Sequence, residues 1–143
     1  MVEKDLTQYR ILLVEDNSEF ADQVKRSAKY YFKQLIIDVV TTKKEAELRY
    51  SMEKYNLAII DLHINETSYR VQMDKAVGLK LLEDIRNSNH DIPLIAYTLA
   101  KDSETIQSLS RLNVHHIQKF SFTNPPLTLL TLVAELLNTE PDA

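Results

Sequence analysis

Five polar residues lie at the ends of short runs with strand character, and together they could bind a divalent cation and a phosphoryl group. Asp61 follows the run LAII, and Glu15 and Asp16 follow the run ILLV. Thr98 follows LIAY, and Lys119 follows VHHIQ. Carboxylates held close together repel one another, and Mg²⁺ relieves that repulsion by taking oxygen ligands. With a lysine for charge and a threonine hydroxyl as donor, the set fits phosphoryl transfer to Asp61, since a carboxylate can be the nucleophile.

These residues can meet only if the apolar runs are neighbouring strands of one sheet. Short continuous apolar runs are typical of strands that are buried on both faces. The runs alternate with helical patterns, which predicts an α/β fold with a doubly wound five-stranded parallel sheet and helices on both faces. The predicted strands are 11–14, 35–40, 57–62, 94–97 and 114–118. The pattern leaves the strand order open, but ligands of such sheets bind beyond the carboxyl ends of the strands.

Capping residues predict where the helices begin. Side chains of Asn, Ser, Thr and Asp can accept a hydrogen bond from the first turn of a helix. Such residues precede four helical patterns: Asn17 or Ser18, Thr42, Asp102, and Asn124 before Pro125. In the first helix the apolar face is predicted from Phe20, Val24, Ala28 and Tyr31.

The last helical pattern is apolar on two sides. One stripe contains Leu127, Leu130, Ala134 and Leu137, and a second, nearly opposite stripe contains Leu129, Leu132 and Leu136. One stripe suffices to pack on a sheet, so the second predicts a partner. We therefore expect residues 102–138 to form a homodimer interface or an effector surface.

A polar segment over residues 64–76 separates Asp61 from the next helix, which carries Leu79, Leu82 and Ile85 on one face and Leu81 beside them. The segment has no clear period, and loops of this length in compact domains are uncommon and often functional. We expect a long loop or lid beside Asp61. Gly78, the single glycine of the chain, follows it.

Composition restricts the classes of protein to which the chain can belong. It has 143 residues, a net charge of −4 and no cysteine, which excludes disulfides and thiolate metal sites and argues against a nucleic-acid-binding surface. There is no signal-peptide pattern and no apolar run of membrane-spanning length. We expect a cytoplasmic protein with an arm at 1–8, one domain at 9–138 and a tail at 139–143.

Four segments resemble the motifs of response-regulator receiver domains. They are ILLVEDN from Ile11, NLAIIDL from Asn56, PLIAYT from Pro93 and IQK from Ile117. The resemblance covers about residues 9–138, and each motif lies at a strand end. It implies a flavodoxin-like receiver fold with strand order 2-1-3-4-5, and a role in two-component signal transduction.

The resemblance also implies a role for each candidate residue. Asp61 would be the phosphoacceptor, Glu15 and Asp16 the acidic pair, and Asp16 a direct ligand of Mg²⁺ or Mn²⁺. The backbone carbonyl of His63 would be a further metal ligand. Lys119 would pair with the phosphoryl group.

Two further residues would transmit the signal. Thr98 would bond a phosphoryl oxygen and couple it to His116, which stands where the family usually has an aromatic switch residue. The phosphoryl donor would be a phosphohistidine of a sensor kinase or a phosphotransfer protein. Such a domain catalyses only its own metal-dependent phosphorylation and dephosphorylation, so we do not expect an enzyme acting on other substrates, a nucleic-acid ligand or a membrane partner.

Some positions depart from the family pattern. Leu99 replaces a small residue and could crowd the phosphoryl group, and Phe120 replaces a proline, so we expect a trans peptide there. These departures favour an alternative, a pseudo-receiver that keeps the fold as an interaction module without being phosphorylated. A phosphatase with an aspartyl nucleophile ranks lower, because His63 stands where such enzymes commonly have a second aspartate.

Overall fold

The computed structural model describes residues 7–67, 75–99, 102–119 and 124–139. Strands and helices alternate along the whole described chain, as the sequence predicts. The strands are β1 (Tyr9–Val14), β2 (Leu35–Val40), β3 (Leu57–Ile60), β4 (Leu94–Thr98) and β5 (His115–Gln118). The helices are α1 (Ser18–Tyr31), α2 (Lys43–Met52), α3 (Lys75–Ser88), α4 (Ser103–Arg111) and α5 (Pro125–Leu136).

The five strands form one parallel sheet in the order β2-β1-β3-β4-β5. This confirms the predicted doubly wound architecture and the strand order that the family resemblance implies. In the register of the central strands, Val14 lies beside Ile60 and Ile60 beside Ala96. The carboxyl ends of β1, β3 and β4 therefore lie side by side at one edge of the sheet.

Alternate side chains of the strands enter two separate apolar cores. Ile11 and Leu13 of β1 pack in one core with α1 and α5, whereas Leu12 and Val14 pack in the other with α2, α3 and α4. Burial on both faces explains why β3, β4 and the last four residues of β1 are almost continuously apolar, whereas β5, with the sequence HHIQ, is only half-buried or exposed. The sheet is thus held between two helical layers, which fixes the positions of its strand ends.

The predicted caps are confirmed. Asn17, Thr42, Asp102 and Asn124 each accept a hydrogen bond from the backbone of the first turn that follows. Asn113 has φ 57° just after α4, the left-handed conformation that an asparagine tolerates at a helix end. Local sequence therefore fixes where these helices begin.

The prediction of two opposite apolar stripes on α5 is wrong. Val133 lies between the two sets and is fully buried, as are Leu129 and Leu130, so the apolar residues form one broad face. The remaining leucines of both stripes are half-buried and pack against the core shared with α1. Thr131 and Glu135 are the exposed residues of this helix. The helix therefore needs no second partner to cover its leucines.

The first residues after β3 are fixed to the body of the fold. Ile64 is fully buried, Asn65 forms a parallel bridge with Thr42, and the Lys43 amide donates to the Asn65 carbonyl at 2.9 Å. The start of the predicted long loop thus caps the amino end of α2. The rest of that loop, residues 68–74, lies outside the described residues, and so does Phe120.

Arg86 of α3 joins three parts of the structure. Its buried guanidinium donates to the carbonyls of Leu112 and Asn113 at the end of α4, and to that of Ile92 before β4, at 2.7–3.0 Å. It also donates to the carbonyls of Asn89 and His90. These bonds hold the carboxyl end of α4 against the α3–β4 connection.

Further small differences from the sequence-based expectations concern the ends of elements. Tyr31 ends α1 with 48% of its surface exposed rather than on the buried face, and Leu79 is only half-buried beside fully buried Leu81 and Leu82.

At the end of the described chain, Thr139 donates to the side chain of Gln34, just before β2. No helix of the described residues has the length and apolarity needed to span a bilayer.

Candidate functional site

The carboxyl ends of the central strands bring the predicted acidic residues together. The Asp61 amide donates to the Val14 carbonyl at 3.0 Å, which continues the pairing of β1 with β3. The Glu15 amide donates to the Val40 carbonyl of β2 at 2.9 Å. Glu15 and Asp61 are therefore held as the first residues beyond neighbouring parallel strands.

Glu15, Asp16 and Asp61 form a cluster in which one oxygen of each carboxylate lies within 4.8 Å of the others. Glu15 and Asp61 are buried, whereas Asp16 is exposed. Three carboxylate oxygens that converge in this way form a hard donor set, which suits Mg²⁺ because this ion takes one or two carboxylates and keeps several waters. The residues present thus fit the metal that the family resemblance implies.

Lys119 places its amine between the two buried carboxylates. Its Nζ lies 2.8 Å from Asp61 Oδ2 and 3.1 Å from Glu15 Oε1. The Lys119 amide donates to the Thr98 carbonyl at 2.8 Å, which ties the residue to the end of β4. The lysine therefore points into the cluster, and the absence of a proline after it has not turned it away.

Two stacked aromatic rings, one of which contacts the lysine, lie next to the cluster. Lys119 Nζ lies 5.6 Å from the centroid of the Tyr97 ring, within the distance at which a cation is attracted to an aromatic face. Tyr97 is itself buried and stacks on Phe20 of α1, with ring centroids 4.9 Å apart. The site is thus braced by α1 as well as by the sheet.

Burial and mutual charge change the protonation of the site. Burial raises the pKa of Glu15 from 4.5 to about 8, and the negative charge of Asp61 adds to this, while the amine of Lys119 opposes it. For Lys119, burial lowers the pKa, but the charges of Asp61 and Glu15 outweigh this and raise it. The lysine is therefore charged at neutral pH, whereas Glu15 readily holds a proton.

Thr98 is fully buried at the end of β4, and the ring of His63 lies close to its hydroxyl. The Thr98 hydroxyl is 3.5 Å from Nδ1 of the His63 ring, and the His63 amide donates to Asp61 Oδ1 at 3.0 Å. The family resemblance assigns only the His63 carbonyl, as a metal ligand, and that assignment stays a prediction. The contact between the ring and Thr98 was not predicted, because it joins the segment after β3 to the end of β4, which are distant in sequence.

The two remaining predicted residues lie at the margin of the site. His116 is half-buried on β5 opposite Ala96, and its Nε2 is buried without a hydrogen-bond partner among the described residues. Leu99 is 55% exposed, so the apolar side chain that follows Thr98 faces largely toward solvent. Among the described residues, His116 forms no hydrogen bond or ion pair with the acidic cluster, and the roles predicted for both residues stay predictions.

Gly78 is a positioning residue that the sequence analysis did not assign to the site. A Cβ at this position would lie 2.3 Å from the Leu62 Cα and 2.8 Å from the Asp61 carbonyl oxygen. The Gly78 amide donates to the Leu62 carbonyl at 3.1 Å. The helix α3 therefore packs directly on the backbone of Asp61 and Leu62, and only glycine allows this approach. Its being the single glycine of the chain was the available signal.

Comparison with protein families gives one match over most of the chain. Residues 11–121 match the family described as response regulator receiver domain. No curated protein matches the sequence.

Comparison with solved structures gives the same fold. A CheY-like response regulator receiver domain protein from Methanospirillum hungatei JF-1 is 21% identical over 92% of this chain and 95% of its own, with a TM-score of 0.76. A two-component response regulator from Clostridium difficile is 18% identical, over 92% and 97%, with a TM-score of 0.74. The receiver domain of the Francisella response regulator 1452 is 20% identical, over 92% and 98%, with a TM-score of 0.72.

Proposed function

Because this chain belongs to the response regulator receiver domain family of two-component systems, we propose that it accepts a phosphoryl group on Asp61 in the presence of Mg²⁺. The donor is a phosphohistidine of a sensor kinase or a phosphotransfer protein. The observation that carries the proposal is the convergence of three carboxylates with the amine of Lys119 at one sheet edge. The resulting signal acts through a protein-interaction surface of this domain.

Each residue of the site has a task in the transfer. A carboxylate oxygen of Asp61 attacks phosphorus while the bond from phosphorus to the donor imidazole breaks, and the imidazole leaves with the bond's electrons and takes up a proton. Lys119, already 2.8 Å from Asp61, stabilises the added negative charge, and the Thr98 hydroxyl donates to a phosphoryl oxygen.

The metal would be held by Glu15, Asp16 and Asp61, with the carbonyl of His63 as a further ligand. When bound, Mg²⁺ supplies positive charge that offsets the repulsion between the carboxylates and the incoming phosphoryl oxygens. The raised pKa of Glu15, about 8, means that this residue must release its proton to become a ligand.

Phosphorylation would shift the equilibrium between two conformations of the α4–β5 region. The Thr98 hydroxyl now lies near the ring of His63, and a phosphoryl group on Asp61 offers it a charged acceptor instead. Movement of Thr98 would allow His116, whose Nε2 is buried, to take another position. The surface changed in this way lies within residues 102–138, and its use as a homodimer or effector interface stays a prediction.

Intact mass spectrometry tests the proposal directly. The protein is incubated with a small acyl phosphate, with and without Mg²⁺, beside Asp61→Asn and the control Asp91→Asn, which changes an exposed aspartate far along the chain. We expect the wild type and Asp91→Asn to gain one phosphoryl group only with Mg²⁺, and Asp61→Asn to gain none. Absence of any gain in the wild type would contradict the proposal.

A specific contact favours a second candidate, the pseudo-receiver. The His63 ring occupies the space beside the Thr98 hydroxyl, where a phosphoryl oxygen would have to bind. If the mass does not change and His63→Ala restores phosphorylation, the wild-type chain serves as an unphosphorylated interaction module. Turnover of a phosphate ester beyond one equivalent per chain would instead indicate a phosphatase.

A further inference from the structure

A groove with an apolar floor and a basic rim lies between the carboxyl-terminal half of α1 and the first residues of β2. Its volume is about 400 Å³. The rim carries Lys25, Arg26, Lys29 and Lys33, and the floor is made by Ala28, Leu35, Ile36 and Ile37. We call this feature the basic groove. No carboxylate belongs to its lining, although the chain as a whole has a net charge of −4.

The basic groove lies at the amino ends of the strands, whereas the acidic cluster lies at their carboxyl ends. The helix α1 begins at Ser18, just beyond the carboxyl end of β1, and ends at Tyr31, before the amino end of β2. The groove is lined by that later part of α1 and by the first residues of β2, whereas Asp61 follows the carboxyl end of β3. A molecule bound in the groove would therefore leave the phosphoacceptor site accessible.

Three of the four rim cations, those on α1, are available for a partner. Among the described residues, Lys25, Arg26 and Lys29 form no ion pair within 4.0 Å, whereas other exposed cations do, such as Lys80 with Asp84 at 3.2 Å. Three like charges on successive turns of one helix repel each other. An acidic ligand would relieve this repulsion, so the charge of the rim selects a negatively charged partner.

Exposed aromatic side chains extend the same surface. Tyr30 is 77% exposed and Tyr31 48% exposed, and their rings lie 5.5 Å apart. With Arg26 they line a second depression that adjoins the basic groove. Tyrosine and arginine are enriched in the parts of interfaces that contribute most to affinity. The surface thus combines an apolar floor, positive charge and aromatic anchors.

The edge of the sheet also remains open here. β2 is the first strand in the order β2-β1-β3-β4-β5, and no described strand pairs with its outer side. Its outward backbone groups can therefore hydrogen-bond to an extended peptide. A polypeptide uses such backbone groups and an apolar floor, while the phosphates of a nucleic acid would gain nothing from the floor and would be repelled by the net negative charge.

From these observations we propose that the basic groove docks an acidic protein segment that carries apolar side chains. The acidic residues pair with Lys25, Arg26 and Lys29, and one or two apolar side chains fill the floor against Ala28 and Leu35. This surface is separate from the site at the carboxyl ends of the strands, and its use does not depend on phosphorylation of Asp61.

Fluorescence anisotropy with labelled probes tests the proposal. The probes are a glutamate-rich peptide that carries a few leucines, the same peptide with serine in place of leucine, and a single-stranded DNA oligonucleotide. The proteins are the wild type, the variant Lys25→Glu/Arg26→Glu/Lys29→Glu and the control Lys44→Glu/Lys54→Glu/Arg111→Glu. The control reverses three exposed cations elsewhere and changes the net charge equally, and circular dichroism verifies that both variants are folded.

We expect the leucine-containing peptide to bind the wild type and the control about tenfold more tightly than the groove variant, because three exposed ion pairs are lost. The serine peptide should bind more weakly than the leucine peptide. Equal loss in the groove variant and the control would overturn the proposal, because binding would then follow net charge alone. Tighter binding of the oligonucleotide than of either peptide would also overturn it.

A fourth protein, ending at Thr139, separates an external partner from the chain's own acidic residues Glu140 and Asp142. Thr139 contacts Gln34 beside the groove. Affinity for the leucine peptide that stays unchanged on this truncation supports an external partner. A tenfold gain would show that the chain's own end competes for the groove, which would overturn the proposal.

Discussion

Lys119 donates to Asp61 at 2.8 Å across 58 residues of sequence, and the same amine contacts Glu15. Both carboxylates are buried, so the positive charge of Lys119 offsets the cost of their burial. A phosphoryl group or a divalent cation at this site has to replace or share that pairing. The stability of the fold and the chemistry of the site therefore depend on the same contact.

Replacing Lys119 by methionine should destabilise the protein. The change keeps the length of the side chain but leaves the buried carboxylates without a counter-charge, which costs about 3 kcal/mol at pH 10, where Glu15 has lost its proton. At pH 5 the loss should be smaller, because Glu15 can hold a proton there. Urea unfolding at the two pH values measures both effects, and Lys54→Met, at an exposed position, is the control. A loss equal at both pH values would contradict this explanation.

The stability of the wild type should fall as the pH rises from about 4.5 to about 8. The pKa of Glu15 in the folded state is about 8, above the 4.5 of an ordinary glutamate. The folded state thus holds a proton that the unfolded state releases within this interval, and the stability that it confers is fully present below pH 4.5 and lost by pH 8. Glu15→Gln should flatten the curve in denaturant titrations, whereas Glu104→Gln, an exposed control, should not. If stability fell equally with pH in Glu15→Gln and in the wild type, the pH dependence would not come from Glu15.

Mg²⁺ should stabilise the protein more at pH 8 than at pH 5. A ligand that binds only the folded state raises stability, and a proton on Glu15 competes with the metal at the lower pH. The midpoint of thermal unfolding with and without Mg²⁺ gives the measurement, and Asp16→Asn should lose most of the increase. An equal shift at both pH values would mean that Glu15 is not a ligand.

Replacing Gly78 by alanine should destabilise the protein, although alanine is a better helix former. The added Cβ would lie 2.3 Å from the Leu62 Cα, a backbone atom that cannot turn aside. We expect a loss of about 3 kcal/mol from overpacking and slower phosphorylation of Asp61, since the loop that carries it must move. Asn87→Ala, on an exposed turn of the same helix, should be neutral or stabilising. A stable Gly78→Ala protein with normal phosphorylation would show that α3 can shift freely.

Arg86→Met should loosen the carboxyl end of α4. The substitution leaves the carbonyls of Leu112, Asn113 and Ile92 without their donor, which should cost about 3 kcal/mol or more. Hydrogen exchange should increase at residues 111–114 more than in β1. Arg111→Met, an exposed arginine on α4, serves as the control. Hydrogen exchange that is equally faster over the whole sheet would indicate global destabilisation instead.

Local patterns in the sequence are sufficient to predict the strands, the starts of the helices and the strand ends that carry the site, whereas the strand order required the family resemblance. Continuous apolar runs mark the strands because both faces are buried, and polar residues directly after them mark the sheet edge where Asp61 and Lys119 meet. Caps such as Asn17 and Thr42 were predictable because they act on the next turn of backbone.

The remaining features depend on contacts between distant segments. The approach of Gly78 to Leu62 and the contact of His63 with Thr98 need the packed structure, because no local pattern encodes a separation in space. The two stripes predicted for α5 failed because Val133 joins them into a single face, and that face is wide enough to contact both the sheet and α1.

The contact of Thr139 with Gln34 has a consequence for the construction of fusion proteins. It brings the end of the described chain to the start of β2, at the amino ends of the strands. Asp61 lies at the other end, because it follows the carboxyl end of β3. A fluorescent protein attached after this point would begin beside α1 and should leave Asp61 accessible. The same fusion would shield the basic groove, so a reporter intended for studies of docking partners should be attached through a long flexible linker.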